Sequence, residues 1–268
     1  MTDSPYLVKP GKKLKLDDWS PDGTGDFKSK EEAVAEAGKN LKKLADLQNV
    51  LYAESKRSVL VVLQAIDAGG KDGTIRHVFS GVNPQGCHVV SFKQPSELEL
   101  AHDFLWRIHA QVPRHGMIGI FNRSHYESVL VERVKKLTPK EVWSGRYEHI
   151  NAFEKMLTDE GVVIRKFFLH ISKKEQKHRM MARLDQQSKN WKFSPSDLED
   201  RQLWDNYMAA YADAMERCSK KQAPWYIVPA NHKWFRNWLV SEVLVRTLEE
   251  MKLKYPDPPE NLENIKIK

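Results

Sequence analysis

Six consecutive residues, Ser58-Val59-Leu60-Val61-Val62-Leu63, carry no charge, and the chain after them, Gln64 to Thr74, reads QAIDAGGKDGT. An apolar run of that length bounded by glycines reads as a buried strand, and the glycines let the chain turn tightly before helical spacing begins at about Asp72. Strand, glycine turn and helix in that order form the layout of a phosphate-binding loop. The usual pattern is G-x-x-x-x-G-K-[ST], with backbone amides and a lysine around phosphate oxygens and a hydroxyl on magnesium. Here Ala65 stands at the first glycine and Asp72 at the hydroxyl. The amides of Ala68, Gly69, Gly70, Asp72, Gly73 and Thr74 would form the anion cradle, and Lys71 would add a point charge. Asp67 and Asp72 would repel phosphate unless a cation lay between, and magnesium prefers one or two carboxylates plus phosphate oxygens. A solvated strand-to-helix turn is the bland alternative.

The rest of the chain repeats the strand-then-helix alternation. Ala33, Ala37, Leu41, Leu44, Leu47 and Leu51 recur every three or four positions, predicting an amphipathic helix over 31–53. Further strands are expected at 87–92, 117–121, 162–171 and 225–230. Ser96 with Glu99 is a capping box expected to open a helix running through Phe104, Leu105 and Ile108. Thr138, Pro139 and Glu141 predict another helix that stops at Gly161, and Ser172 with Glu175 and Ser196 with Glu199 predict two more. A last helix is expected from about Asn231 to Lys252. Parallel neighbours need long connections, so this order predicts an α/β fold with a parallel five-stranded sheet and helices on both faces. Ligands then sit beyond the carboxyl ends of the strands, where the glycine loop and the segment NRSHYE, Asn122 to Glu127, both fall. Arg123 would stabilise charge on a transferring phosphoryl group, and Glu127 would hold metal or polarise an acceptor oxygen.

A net charge of +7 calls for an anionic partner: nucleic acid, an acidic membrane surface or a phosphorylated small substrate. Many of the cations lie between Lys173 and Lys192, where Arg179 and Arg183 share a helical face. A lone charge run is usually a solvated face, but after the fourth strand it stands where small phosphotransferases carry a mobile lid. Cys87 and Cys218 have no C-x-x-C spacing, and no H-E-x-x-H or G-x-S-x-G is present, so a disulfide framework, a zinc hydrolase and a serine hydrolase are poorly supported. No apolar stretch reaches signal-peptide or membrane-span length, which predicts a soluble, cytoplasmic protein. Residues 1–27 and 255–268 read as an irregular lead-in and tail around one domain, 28–254.

Four segments, IDAGGKDGT, FNRSHYE, FLHISKKEQKHR and WKFSPSDLEDRQLWDNY, together resemble the family-2 polyphosphate kinases, over roughly Phe27 to Lys254. The resemblance implies a P-loop kinase fold like that of thymidylate kinase, with a helical lid at about 172–200. It implies transfer of the terminal phosphate of inorganic polyphosphate to AMP and ADP, and possible use of GMP and GDP, with magnesium or manganese. ATP is then product or reverse substrate. It further implies a homodimer or tetramer, with no nucleic acid or membrane partner. In that family the aspartate after the loop lysine is ordinary. By the same resemblance Asp67 is the metal carboxylate, Lys71 the loop lysine, Arg123 the second-segment arginine, and Arg179 and Arg183 the lid cations. Asn122 and Lys192 lie on the nucleotide side, Asn122 in place of an acid that many relatives carry. Glu127 stands where members confined to nucleoside diphosphates look Asn-like, so it implies use of both AMP and ADP.

Two other readings stay open on sequence alone. One is an ATP-dependent nucleoside monophosphate kinase on the same fold. The other is a nonenzymatic nucleic-acid-binding protein using the basic segment with Trp191 and Phe193, which would leave the glycine loop unexplained.

Overall fold

The computed structural model describes residues 4–260 and 267. Its elements are α1 (Lys30–Glu54), β1 (Ser58–Gln64), α2 (Lys71–Val78), β2 (Cys87–Ser91), α3 (Glu97–Leu100), α4 (Trp106–His109), β3 (Ile118–Asn122), α5 (Val131–Val134), α6 (Lys140–Trp143), α7 (Arg146–Asp159), β4 (Val162–His170), α8 (Lys173–Asp185), α9 (Gln187–Asn190), α10 (Ser196–Gln202), α11 (Trp204–Cys218), β5 (Trp225–Pro229) and α12 (Lys233–Glu250). The five strands are all parallel, in the order β2-β3-β1-β4-β5. β1 is central, with every residue buried, and its Val61 pairs with Ile120 of β3 on one side and Arg165 of β4 on the other.

Helices cover both faces, as the alternation predicts. Successive strand residues point to opposite faces. On β4, Arg165 Nε donates to Thr247 Oγ1 of α12 at 3.0 Å, whereas the next residue, Lys166, pairs with Glu154 of α7. α12 and α7 therefore lie on opposite sides, α12 joined by α1 and α2, and α7 by α11.

The apolar residues expected to drive α1 are largely buried: Ala33, Ala37, Leu44 and Leu51. Ser29 caps it by accepting from Glu32 N. Three helix expectations need correction. Ser96 and Glu99 form both bonds of the capping box, but the helix ends at Leu100 because the Asp103 carboxylate takes Leu105 N at 2.9 Å and restarts the chain as α4. Thr138 caps nothing: its hydroxyl donates to Glu132, Pro139 takes the cap position without a side-chain bond, and the helix is interrupted at Ser144 and Gly145 before α7. Gly161, at φ +87°, does follow that helix's end. Ser196 is the first residue of α10, not its cap, and its own N–H bonds to Ser194 Oγ at 3.4 Å.

The lead-in is less free than its composition suggests. Leu7 forms an antiparallel bridge with Tyr226, with Val8 N donating to Trp225 O and Ile227 N to Tyr6 O, both at 2.9 Å. That covers the outer edge of β5, and Val8 and Leu16 are buried. Positions 1–3, 261–266 and 268 of the expected lead-in and tail lie outside the described residues.

Candidate active site

The strand order decides the site. β1 and β3 are neighbours although β2 separates them in sequence, so the glycine loop and the NRSHYE segment leave the sheet side by side. Arg123 N donates to Leu63 O at 3.1 Å, linking the two segments at their first step.

The loop is tightly wound. A Cβ on Gly69 would collide with Ala65 Cβ, and Gly70 takes φ +103°, a conformation that costs a residue with a Cβ. Ala68 is held at φ +62° without that excuse, the kind of strain stored at functional sites. α2 begins at Lys71, one residue before the expected start. The Lys71 side chain is 9% exposed and its Nζ donates to Ala65 O at 2.7 Å. Burial pulls its pKa down to about 8, with Arg123 adding to the fall and Asp67, Glu127 and Asp72 opposing it. Thr74, expected in the cradle, is buried and turns its hydroxyl to Gly70 O at 3.1 Å.

Opposite the loop, Arg123 at φ +65° aims Nη2 at Asp67 Oδ1, 2.8 Å away. Among the described residues the other Asp67 oxygen has no hydrogen-bond donor. Burial would lower the Arg123 pKa, but the carboxylates of Glu127 and Asp67 raise it above its ordinary value. Burial pushes Glu127 up, against the pull of Arg123, Lys71 and a hydrogen bond with Gln64. Asp72 accepts from Asn122 Nδ2 at 2.8 Å and from Lys192 Nζ at 3.2 Å; burial alone would raise its pKa, but these bonds hold it below the usual range. Asp67, Lys71, Asp72, Asn122, Arg123, Glu127 and Lys192 are thus one cluster.

Sequence reasoning missed what holds this cluster. Within the short 3-10 turn His125–Ser128, His125 Nε2 and Tyr126 Oη both bond Glu154 Oε1, at 3.1 and 2.9 Å. Lys166, fully buried, pairs with Glu154 and also donates to Tyr126 Oη at 2.9 Å and Cys218 O at 2.7 Å. Burial would push the Glu154 carboxyl up, but Lys166 and His125 hold it below its ordinary value. A lysine on the strand VVIRKFFLH, next to Arg165 and directly before Phe167 and Phe168, was the available signal.

The basic segment is divided in its use. Gln176 Nε2 donates to Asp67 O at 3.1 Å, and Arg179 gives its guanidinium to four main-chain oxygens, Ala68 at 3.2 Å, Gly69 at 3.0 Å, Ala230 at 2.5 Å and Asn231 at 3.2 Å. Arg179 therefore straps the glycine loop to the end of β5 where the sequence reading had a lid cation facing phosphate. Arg183 bonds Asp197 at 2.8 Å and Lys192 O at 3.0 Å, which braces α8 against α10. Beyond this, α9 is exposed, with Trp191 at 77%.

A cavity of about 220 Å³ opens beside Glu127, lined among others by Glu99, Phe104, Arg107, Glu132 and Arg146. The Arg146 guanidinium stands 4.8 Å from the Phe104 ring centroid and pairs with Glu132, and Arg107 pairs with Glu99, so both arginines of the cavity are matched by carboxylates. Among the described residues no three His, Cys, Asp or Glu side chains gather as a ready-made metal site. Magnesium fits this donor set only as an ion shared with phosphate, since one or two carboxylates suffice when phosphate oxygens complete its shell.

A family model described as Polyphosphate kinase 2 matches residues 27–256. The chain belongs to the polyphosphate kinase 2 family. An AMP/ADP-polyphosphate phosphotransferase of Meiothermus ruber is 56% identical over 98% of each chain. An ADP-polyphosphate phosphotransferase of Rhodopseudomonas palustris is 46% identical, spanning 94% of this chain and 91% of that one. The crystal structure of Polyphosphate Kinase 2 from Arthrobacter aurescens TC1 superposes with a TM-score of 0.93 at 40% identity, covering 97% of this chain and 93% of that one. The polyphosphate kinase 2 fold, P-loop kinase-like with a parallel five-stranded sheet, is thus the fold of this chain, as its sequence resemblance implied. Among the described residues no helix is long and apolar enough to cross a membrane.

Proposed function

We propose that this chain transfers the terminal phosphate of inorganic polyphosphate to AMP and to ADP, reversibly and with magnesium. The reading is carried by one observation: Asp67 and Arg123 meet at 2.8 Å across the β1–β3 crevice with the buried Lys71 beside them. It is supported by the name of the Meiothermus ruber relative, whose sequence matches 98% of this one.

A terminal phosphate oxygen of the nucleotide attacks the terminal phosphorus of the chain. The new P–O bond forms as the bridging P–O bond breaks, and the electron pair leaves on the shortened polyphosphate. Such transfer needs positioning and charge neutralisation rather than covalent chemistry. Lys71 and the loop amides take the bridging and donor oxygens, and Arg123 takes charge on the transferred group. The other oxygen of Asp67, with Glu127, would hold the ion, which neutralises charge between carboxylates and phosphates. Asn122, Lys192 and the cavity beside Glu127 form the acceptor side, where Phe104 offers a surface for a base. The working unit is residues 28–254 with 172–200 as its lid, acting in the cytoplasm as a homo-oligomer.

The test is chromatography of nucleotides after incubation with magnesium, AMP or ADP, and polyphosphate or ATP as donor, beside a Lys71→Ala control. ADP and then ATP from polyphosphate and AMP, with an inert control, is the expected result. Use of ATP alone as donor would overturn the reading.

A further inference from the structure

Outside the four segments that carry the family resemblance, α12 carries Arg236 directly beneath the glycine loop. The residue is 3% exposed. Its Nε and Nη2 both donate to Asn237 Oδ1, at 3.1 and 2.8 Å, and among the described residues no carboxylate pairs with it and Nη1 has no acceptor. A Cβ built on Gly70 would fall against Nη1, and one built on Gly73 would stand 3.5 Å from Nη2. The missing side chain of Gly70 is what lets the guanidinium reach the start of α2, and Gly73 leaves it at ordinary contact distance. The same Gly70 position lies 3.3 Å from Arg179 Nη1, so a second cation closes on the spot. Arg179 has Glu175 at 2.7 Å, but Arg236 has no such relief. Burial, with Arg179 adding to it, pulls the Arg236 pKa down to about 9.

A buried guanidinium without a carboxylate is expensive, and a chain that needed only packing there would do better with an apolar side chain. The cost is offset if an anion occupies the loop. We propose that Arg236 is a phosphate-binding residue of this site, a resident positive charge at the glycine turn that takes the polyanionic donor. This rests on the polyphosphate reading above. It separates the two neighbouring arginines: Arg179 spends its donors on main-chain oxygens, whereas Arg236 keeps Nη1 for the ligand.

The experiment is thermal unfolding of the full chain with increasing inorganic tripolyphosphate, for the wild type, Arg236→Met and Arg236→Lys. We expect Arg236→Met to melt at or above the wild-type temperature without ligand, because an uncompensated buried charge has gone. Its half-saturating tripolyphosphate concentration should rise about tenfold or more, the scale of losing one partner of a buried charge pair, and Arg236→Lys should recover part of that. If Arg236→Met melts well below the wild type or does not fold, the guanidinium is a structural strut and the proposal falls. It falls equally if the variant binds tripolyphosphate as the wild type does. A wild type that tripolyphosphate does not stabilise at all would instead remove the polyphosphate reading, and the role of Arg236 with it.

Discussion

Arg123 Nη2 stands 2.8 Å from Asp67 Oδ1, joining the end of β3 to the loop after β1 across the crevice between those strands. Both side chains are partly exposed, so the pair is worth about 1 kcal/mol or less to the fold. Its value is positional. Asp67→Ala should therefore leave the melting temperature almost unchanged while lowering turnover by orders of magnitude, measured as steady-state nucleotide formation. A folded Asp67→Ala enzyme with near-normal turnover would remove Asp67 from the metal role.

Lys71 makes pH act in opposite directions on binding and stability. Its folded pKa of about 8 lies below the ordinary 10.5 because burial disfavours the charged form. Between those values the unfolded chain holds more protons than the folded one, so this group makes stability rise with pH from about 8 to about 10.5. Over the same window the neutral amine loses its attraction for phosphate. Tripolyphosphate affinity should fall above pH 8 as the ligand-free protein gains stability, and Lys71→Met should flatten both trends in calorimetry and denaturant titration.

Glu127 borders both the cluster around Lys71 and the cavity beside Phe104. If it distinguishes acceptors, as the family resemblance implies, Glu127→Asn should keep ADP phosphorylation and lose most AMP phosphorylation. Separate kcat/KM values for the two nucleotides provide the check. Parallel loss of both would make Glu127 a general catalytic residue.

The Lys166–Glu154 pair is buried at 0% and 1% exposure. Removing one partner leaves an uncompensated charge, so Lys166→Met should cost about 3–5 kcal/mol in denaturant unfolding. Lys166→Met with Glu154→Gln should cost clearly less than the two single changes added together, because no charge is then stranded. Strict additivity would show that the two side chains act independently.

Much of the site was legible in the sequence because it is written in local pattern. An all-apolar strand, two glycines and a lysine identify the loop, apolar spacing locates α1, and the Ser172–Glu175 capping pair locates α8. Where a cap was misread, at Thr138 and Ser196, a proline occupies the cap position, and the Thr138 hydroxyl bonds Glu132 instead. The bonds of Arg179 to four carbonyls were not legible, since those carbonyls come from two distant segments.

What the sequence by itself determined is the alternation of buried strands and amphipathic helices and the residues available at each strand end. Only the tertiary structure decided that β3 lies next to β1, that Glu154 and Lys166 meet in the core beneath the second loop, and that Arg236 reaches the glycine turn. The reason is physical. Periodicity and turn chemistry are set by neighbours along the chain, whereas a parallel sheet pairs strands separated by long crossovers, and a buried charge is placed by whatever that pairing brings against it.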